Sequence, residues 1–226
     1  MITEERIAAY IKSLDKDLSP QLLRLEKEAE KNKVPIIKKE TQGVIRFLLR
    51  IQKPKRILEV GTAIGFSALF MSEYSRKECD ITTIEKVAMR LAEARKNLKD
   101  EAFPHRAKIS LLEGEALDIL KELVEAKEKY DFIFLDAAKA QYMNFLPELM
   151  KLIYEGGLLI TDNVLQDGTV INSRYSITRR DRTIHTRMRE YLYTITHMDE
   201  LETLILPIGD GIALSYRKEE EYYEHR

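Results

Sequence analysis

The chain has 226 residues, 44% hydrophobic and 33% charged, with a formal net charge of −1. This is the composition of a globular protein with enough apolar residues for a core, and its global charge predicts no polyanion partner. The single Cys79 excludes an internal disulfide framework, and no apolar run approaches the roughly 18 residues that span a bilayer. Because residues 1–6 also lack the plan of a signal peptide, we expect a cytoplasmic protein without a membrane partner.

About the first 50 residues are predicted to be helical. Ile7, Ile11 and Leu14 recur at helical spacing and predict a first helix. Ser19 followed by Pro20 indicates the N-cap and first residue of a second helix, whose buried stripe would be formed by Leu22, Leu25 and Ala29. Val34-Pro35 ends that helix, because proline moves the preceding residue out of helical conformations. A third helix is predicted over Thr41–Arg50.

From Lys55 onward, short apolar runs alternate with helical stretches. The predicted strands are Arg56–Val60, Ile81–Ile84, Ala107–Leu112, Tyr130–Leu135 and Leu158–Thr161. The predicted helices between them are Ser67–Tyr74, Val87–Leu98, Ala116–Lys127 and Gln141–Ile153. This alternation predicts an α/β fold with a mainly parallel sheet.

The end of the chain has a different pattern. Two strand-like runs, Leu201–Pro207 and Ile212–Tyr216, are separated by only a short glycine-containing link, which favours an antiparallel pair. There is no repeat and no linker. We therefore expect one domain over residues 1–226, with a helical cap over 1–54 and an α/β core over 55–226.

The first predicted strand leads into Glu59-Val-Gly-Thr-Ala-Ile-Gly-Phe-Ser67. Glycines after a first strand let the backbone approach a cofactor, but Ala63 stands where the dinucleotide fingerprint has its second glycine. Glu59 would repel a pyrophosphate and attract a cation, such as the sulfonium-bearing amino acid of S-adenosylmethionine. The alternative is a tight turn that binds no ligand.

Two later strand ends extend this nucleoside hypothesis. Glu85 ends the second strand at the separation from Gly61 at which an acidic residue commonly accepts hydrogen bonds from ribose hydroxyls. The alternative is a solvated glutamate that caps the helix at Val87. The turn Glu113-Gly-Glu-Ala116 follows the third strand and would place a side chain beside an adenine ring.

Three oxygen-bearing side chains follow the fourth and fifth strands. Asp136 ends one apolar strand, and Asp162-Asn163 ends the next. At the carboxyl edge of a parallel sheet these side chains would converge into a site for Mg²⁺ or another hard divalent cation. The alternative is that Asp136 caps a helix and the other two form a turn. Lys139 would point into the same cleft as a candidate general base, or else be a surface lysine.

An arginine-rich segment lies between Arg174 and Arg189, with six arginines against one acid. Such density on a charge-balanced chain favours a nucleic-acid partner, because arginine clusters bind phosphates. The candidate RNA contacts are Arg174, Arg179, Arg180 and Arg182. The alternatives are a solvated helix face or a dimer contact.

Together these motifs resemble the cation-dependent class I O-methyltransferases, the group that includes catechol and caffeoyl-CoA methyltransferases. The resemblance rests on residues 59–67, Glu85, 114–116, 136–139 and Asp162-Asn163, and it covers nearly the whole chain. Within the group the chain looks most similar to bacterial tRNA 5-hydroxyuridine methyltransferases.

The resemblance implies a Rossmann-like, seven-stranded, mostly parallel sheet with an antiparallel last strand, and a homodimer. It implies that Asp136, Asp162 and Asn163 hold magnesium and that Asp136 lies near the methionine part of S-adenosylmethionine. The other implied cofactor contacts are Ile37, Gly61, Ser67, Glu85, Glu115 and Ala116. Glu115 departs from the family, which more often has aspartate there, so its adenine contact is less secure.

The leading hypothesis is a Mg²⁺-dependent O-methyltransferase that converts 5-hydroxyuridine at the tRNA wobble position to 5-methoxyuridine, with the anticodon loop as its partner. The alternative is a methyltransferase of small catechols or of caffeoyl-CoA. A third hypothesis is a non-catalytic module that binds the cofactor without transferring methyl. Because catechol and 5-hydroxyuridine both offer two adjacent oxygens, the metal motif does not choose between them.

Overall fold

A computed structural model describes residues 5–15, 17–100, 107–173, 175, 177–179 and 182–219. The helices are α1 Glu5–Ser13, α2 Pro20–Lys31, α3 Lys39–Gln52, α4 Phe66–Tyr74, α5 Ala88–Leu98, α6 Ala116–Glu125, α7 Tyr142–Leu152 and α8 Arg182–His197. The strands are β1 Arg56–Val60, β2 Asp80–Glu85, β3 Lys108–Glu113, β4 Tyr130–Leu135, β5 Ile153–Asp162, β6 Leu201–Leu206 and β7 Ile212–Arg217. Within these residues, no helix is long and apolar enough to cross a membrane.

The strand order is β3-β2-β1-β4-β5-β7-β6. Strands β1, β2 and β3 pair in parallel, as do β4 and β5, whereas β7 runs antiparallel to both β5 and β6. This confirms the predicted seven-stranded, mostly parallel sheet with an antiparallel last strand. Chain contacts group into two compact units, an N-terminal unit over residues 4–116 and a C-terminal unit that is mainly residues 117–226. The single-domain organisation stays a prediction.

The N-terminal unit contains α1 to α5 and strands β1 to β3. Helix α2 begins where the sequence predicts, because Pro20 is its first residue and the Ser19 hydroxyl accepts a hydrogen bond from the Leu22 N–H at 3.4 Å. Its buried side includes Leu25 and Ala29. Helix α2 therefore packs through the apolar stripe that its spacing indicates.

The C-terminal unit contains α6 to α8 and strands β4 to β7, and β5 differs from its prediction. It begins at Ile153, where the helix was expected to end, and not at Leu158. Its pairing with β4 shifts register, from Tyr130 with Ile153 to Phe132 with Leu158. The residues between form a bulge around Gly156, whose φ is 76°. A bulge hides the alternation that marks a strand in sequence.

Helix α8 was not among the predicted helices, apart from the alternative of a solvated helix face in the arginine-rich segment. Its buried residues are His185, Met188, Tyr191 and Ile195. Their spacing is helical, but a histidine and a tyrosine among many arginines do not read as an apolar stripe. The helical periodicity of α8 was missed because two of its buried positions are the partly polar residues His185 and Tyr191.

Candidate active site

The turn after β1 is held by the neighbouring strand β2. The N–H groups of Gly61 and Thr62 both donate to the Ile84 carbonyl at 3.0 Å. Gly65 is the N-cap of α4 with φ 86°, a conformation that strains any L side chain. The backbone at this strand end is thus tightly folded, which fits both a cofactor turn and the alternative of a tight turn that binds no ligand, so the cofactor contact stays a prediction.

The Glu85 carboxylate is buried at the end of β2, with 6% of the residue exposed. One oxygen accepts the Ala63 N–H at 2.9 Å, and the other accepts the N–H groups of Lys86 at 2.8 Å and Val87 at 2.9 Å. Glu85 is therefore not a solvated surface residue. Its carboxylate joins the turn after β1 to the start of α5, and the oxygen that accepts only the Ala63 N–H keeps a lone pair for a hydroxyl donor.

Glu59 lies inside the sheet of the N-terminal unit and is fully buried. Its carboxylate accepts a hydrogen bond from the Thr83 hydroxyl, which also contacts the Thr62 hydroxyl at 2.6 Å. This buried carboxyl group connects β1 and β2. Its role in attracting a cationic cofactor stays a prediction.

The other predicted cofactor residues of the N-terminal unit differ in exposure. Ile37 and Ser67 are buried. The Ile37 carbonyl accepts a hydrogen bond at 3.0 Å from Gln42, whose amide also donates to the buried Glu26 at 3.2 Å. Glu115, in contrast, is mostly exposed and forms an ion pair with Lys86 at 3.1 Å.

Glu115 therefore lies at the surface, paired with Lys86, and its adenine contact stays a prediction. Ala116 follows it as the first residue of α6 and is half-buried.

In the C-terminal unit, the predicted metal ligands and Lys139 form one cluster. The Lys139 ammonium donates to the Asn163 amide oxygen at 3.0 Å, and the Asn163 amide nitrogen lies 3.5 Å from Asp136 Oδ1. The Asn163 N–H donates to Asp162 Oδ1 at 2.8 Å, and Asn163 has a left-handed φ of 62°. The structure thus brings together all four residues that were predicted to share a cleft.

The carboxyl group of Asp162 is perturbed by its surroundings. Burial, followed by the negative charge of Asp136 and then that of Asp210, raises the pKa of Asp162 to about 7. The Asn163 N–H and the Lys139 charge oppose that shift. Two acids compete for positive charge here, which is the condition under which a bound cation is most favourable.

The donor set fits a hard divalent cation. It supplies two carboxylates and one amide oxygen, and Mg²⁺ prefers oxygen ligands and usually keeps several waters. Among the described residues, no group of three or more His, Cys, Asp or Glu side chains could hold a metal ion. The predicted set does not require one, because its third ligand is an asparagine.

The arginine-rich segment is only partly described. Arg174 and Arg180 lie outside the described residues. Arg179 is exposed, whereas Arg182 is half-buried and its Nε donates to the Ile177 carbonyl at 3.3 Å. Arg187 donates to the Ala140 carbonyl at 2.8 Å and so supports the loop that carries Lys139. At least part of this charge has a structural use.

Two residues near the cluster were not assigned a role from sequence. Tyr142 is fully buried, and its hydroxyl donates to the backbone carbonyl of Asp162 at 3.2 Å. Burial and the charges of Asp136 and Asp162 raise the pKa of Tyr142 well above its ordinary value, so it is a neutral donor. Asp210 is the acid of Gly-Asp-Gly before β7. The sequence could have pointed to Tyr142 only through its position, three residues after Lys139.

The fold and the site define a class of protein, the Rossmann-like methyltransferases, and comparisons with known proteins agree. An S-adenosylhomocysteine-bound methyltransferase of Podospora anserina has a TM-score of 0.82 to this chain at 24% identity, covering 95% of each chain. A caffeoyl-CoA O-methyltransferase of Citrus natsudaidai is 30% identical over 75% of this chain and 74% of its own length. A catechol O-methyltransferase of Niastella koreensis is 33% identical over 57% of this chain and 58% of its own.

The family model for O-methyltransferases matches residues 11–218, and the chain belongs to that family. This confirms the enzyme class predicted from the motifs and the resemblance to catechol and caffeoyl-CoA methyltransferases. The closer likeness to tRNA methyltransferases stays a prediction.

Proposed function

We propose that this chain is a Mg²⁺-dependent O-methyltransferase that uses S-adenosylmethionine and acts on an acceptor with two adjacent oxygens. One observation carries the proposal: Asp136, Asp162, Asn163 and Lys139 lie in one hydrogen-bonded cluster, in which burial and the charge of Asp136 raise the pKa of the Asp162 carboxyl. Such a cluster is costly to maintain unless a cation is bound there.

The N-terminal unit would bind the methyl donor. The Glu85 carboxylate, already held by three N–H groups, would accept a hydrogen bond from a ribose hydroxyl through its remaining lone pair, and the turn at Gly61 would lie against the amino acid part. The structure of S-adenosylhomocysteine-bound Podospora anserina methyltransferase supports this donor through the shared fold.

The C-terminal unit would bind and activate the acceptor. A divalent cation held by Asp136, Asp162 and Asn163 would favour ionisation of a coordinated hydroxyl near neutral pH. Lys139, in its neutral form, would take the hydroxyl proton. The acceptor oxygen would then bond to the methyl carbon of the donor while the carbon–sulfur bond breaks, and S-adenosylhomocysteine would leave as the product. Holding two adjacent oxygens orients the attacking one, and this positioning contributes much of the acceleration.

The test is methyl transfer from labelled S-adenosylmethionine to a catechol and to tRNA that carries 5-hydroxyuridine, with Mg²⁺ and with EDTA. We expect transfer only with Mg²⁺ and a loss of about 100-fold or more in Asp136→Ala. Asp80→Ala is the matched control, because Asp80 is an exposed aspartate at the start of β2. Cofactor binding without transfer to any acceptor would instead support the non-catalytic module.

Two acceptors meet the chemical requirement, and different observations favour them. The named relatives favour a catechol or caffeoyl-CoA type of small molecule. The arginine-rich segment, with Arg179 exposed and Tyr175 89% exposed beside it, favours 5-hydroxyuridine in the anticodon loop of tRNA. Single-stranded bases are recognised by stacking on aromatic side chains, while arginines bind the phosphates.

Arg179→Ala separates the two acceptors. If tRNA is the acceptor, this variant binds tRNA more weakly and with a shallower salt dependence, whereas transfer to a catechol is unchanged. Arg76→Ala removes an exposed arginine outside the segment and is the matched control. Equal tRNA methylation by both variants would remove the support that the arginine-rich segment gives to tRNA.

A further inference from the structure

Tyr142 connects the two chain segments that carry the oxygen ligands. It is the first residue of α7 and is fully buried. Its backbone N–H donates to the carbonyl of Lys139, and its hydroxyl donates to the carbonyl of Asp162 at 3.2 Å. One residue therefore connects the loop after β4 to the end of β5.

The peptide group that Tyr142 contacts also orients a ligand. The carbonyl that accepts the Tyr142 hydroxyl belongs to the peptide between Asp162 and Asn163. The N–H of that same peptide donates to Asp162 Oδ1 at 2.8 Å. A peptide group is planar, so a hydrogen bond that holds its carbonyl also sets the direction of its N–H.

Asn163 makes this support necessary. Its φ of 62° is left-handed, which costs an L residue free energy unless surrounding contacts hold it. Rotation of the peptide before Asn163 would move both the Asp162 carboxylate and the Asn163 side chain. A buried hydroxyl donor on that peptide therefore holds two of the three proposed ligands at once.

We propose that Tyr142 is a positioning residue for the cation site: its hydroxyl fixes the Asp162–Asn163 peptide and thereby the arrangement of the oxygen ligands. The inference rests on the proposed metal-dependent function. Partners that orient metal ligands typically change metal affinity 10- to 100-fold when removed.

Tyr191 supplies a matched control. It is also fully buried in the C-terminal unit and lies edge-to-face with Tyr142 at a ring-centroid distance of 5.5 Å. Its hydroxyl, however, contacts the side chain of Thr161 at 2.6 Å and not the peptide of a ligand. Phenylalanine at either position removes one buried hydroxyl and keeps the ring.

The experiment measures Mn²⁺ affinity by calorimetry and by electron paramagnetic resonance in the full chain, without acceptor. We expect Tyr142→Phe to weaken Mn²⁺ binding about tenfold or more and to raise the Mg²⁺ concentration for half-maximal activity, with most of kcat recovered at saturating Mg²⁺. Tyr191→Phe should bind Mn²⁺ as the unsubstituted protein does. Thermal melts of the metal-free variants establish that both fold.

If Tyr142→Phe does not fold, Tyr142→Met is measured in the same way, because methionine also lacks the hydroxyl and is a large apolar side chain. Unchanged Mn²⁺ affinity in the folded Tyr142 variant, or equal weakening in Tyr191→Phe, overturns the positioning role. If the unsubstituted protein binds no Mn²⁺, the proposed function itself fails. If it binds Mn²⁺ and Asp162→Asn does not, but Tyr142→Phe binds normally, only the positioning role fails.

Discussion

Each unit of the chain has a buried acid as the last residue of a strand, and the surroundings of the two acids are opposite. Glu85, at the end of β2, accepts three backbone N–H groups. Asp162, at the end of β5, accepts the N–H of Asn163 but is also opposed by the negative charges of Asp136 and Asp210. The first carboxylate is stabilised by the polypeptide, whereas the second is not stabilised to the same extent.

Under the proposed function, this difference would separate two kinds of binding site. The N–H donors around Glu85 fix its carboxylate in position, and the remaining lone pair would accept a hydroxyl group from a neutral sugar. The negative charges of Asp136 and Asp210 lie near Asp162, and a divalent cation bound there would reduce their mutual repulsion. The two strand ends look equivalent in sequence, yet one is suited to hydroxyl groups and the other to a metal ion.

The largest effect should come from neutralising the second acid. We expect Asp162→Asn to weaken Mn²⁺ binding by about 100-fold or more and to leave S-adenosylhomocysteine binding within about threefold, because only the cation depends on that charge. Calorimetric titration of each ligand measures both. Loss of both ligands in equal measure would show that the two acids do not divide their roles as proposed.

The reverse pattern is expected for the first acid. Glu85→Gln places an amide among three N–H donors, so S-adenosylhomocysteine affinity should fall roughly 10- to 100-fold, while Mn²⁺ affinity is unchanged. Glu78→Gln, at an exposed glutamate in the turn before β2, is the matched control and should behave as the unsubstituted protein. Normal cofactor affinity in Glu85→Gln would contradict the ribose assignment.

The pH dependence of stability tests the electrostatic part of the comparison. The pKa of Asp162 is about 7 in the folded protein, above its ordinary value of 3.8. The protonated Asp162 carboxyl therefore contributes fully to the free energy of unfolding below about pH 3.8. That contribution, on the order of a few kcal/mol, is lost as pH rises through about 7. In EDTA, the free energy of unfolding from urea titrations should fall over that range.

Asp162→Asn should be more stable than the unsubstituted protein at pH 8 and should lack that part of the decline. Asp80→Asn serves as the control, since Asp80 is exposed. Parallel pH profiles for Asp162→Asn and the unsubstituted protein would mean that the surroundings of Asp162 do not raise its pKa.

The smallest effect is expected for a charge that is not buried. Glu115 and Lys86 form an ion pair with side chains 64% and 53% exposed. Lys86→Ala should change the free energy of unfolding by less than about 1 kcal/mol, because solvent screens such pairs. Urea titration measures this change. A larger loss would contradict the expectation that the exposed Glu115 contributes less to stability than the buried acids Glu85 and Asp162 do.

Much of the fold follows from local patterns. The start of α2 at Pro20 and the strand β1 over Arg56–Val60 are where the sequence predicts them, because caps and apolar runs are local signals. The bulge in β5 and helix α8 were not anticipated. Pairing with a distant strand decides the bulge, and packing of polar-tipped side chains such as Tyr191 decides which side of α8 is buried.

The sequence by itself determined the residue types and their order: the glycine turn at Gly61, an acid closing β2, and oxygen side chains closing β4 and β5. These are local features, since a strand end and its terminal residue are adjacent in the chain. Only the tertiary structure decided what surrounds each acid. The N–H from Ala63 reaches Glu85, and the charge of Asp210 and the hydroxyl of Tyr142 reach Asp162, from segments far away in the sequence. Electrostatic environment depends on distance in space, which sequence spacing does not specify.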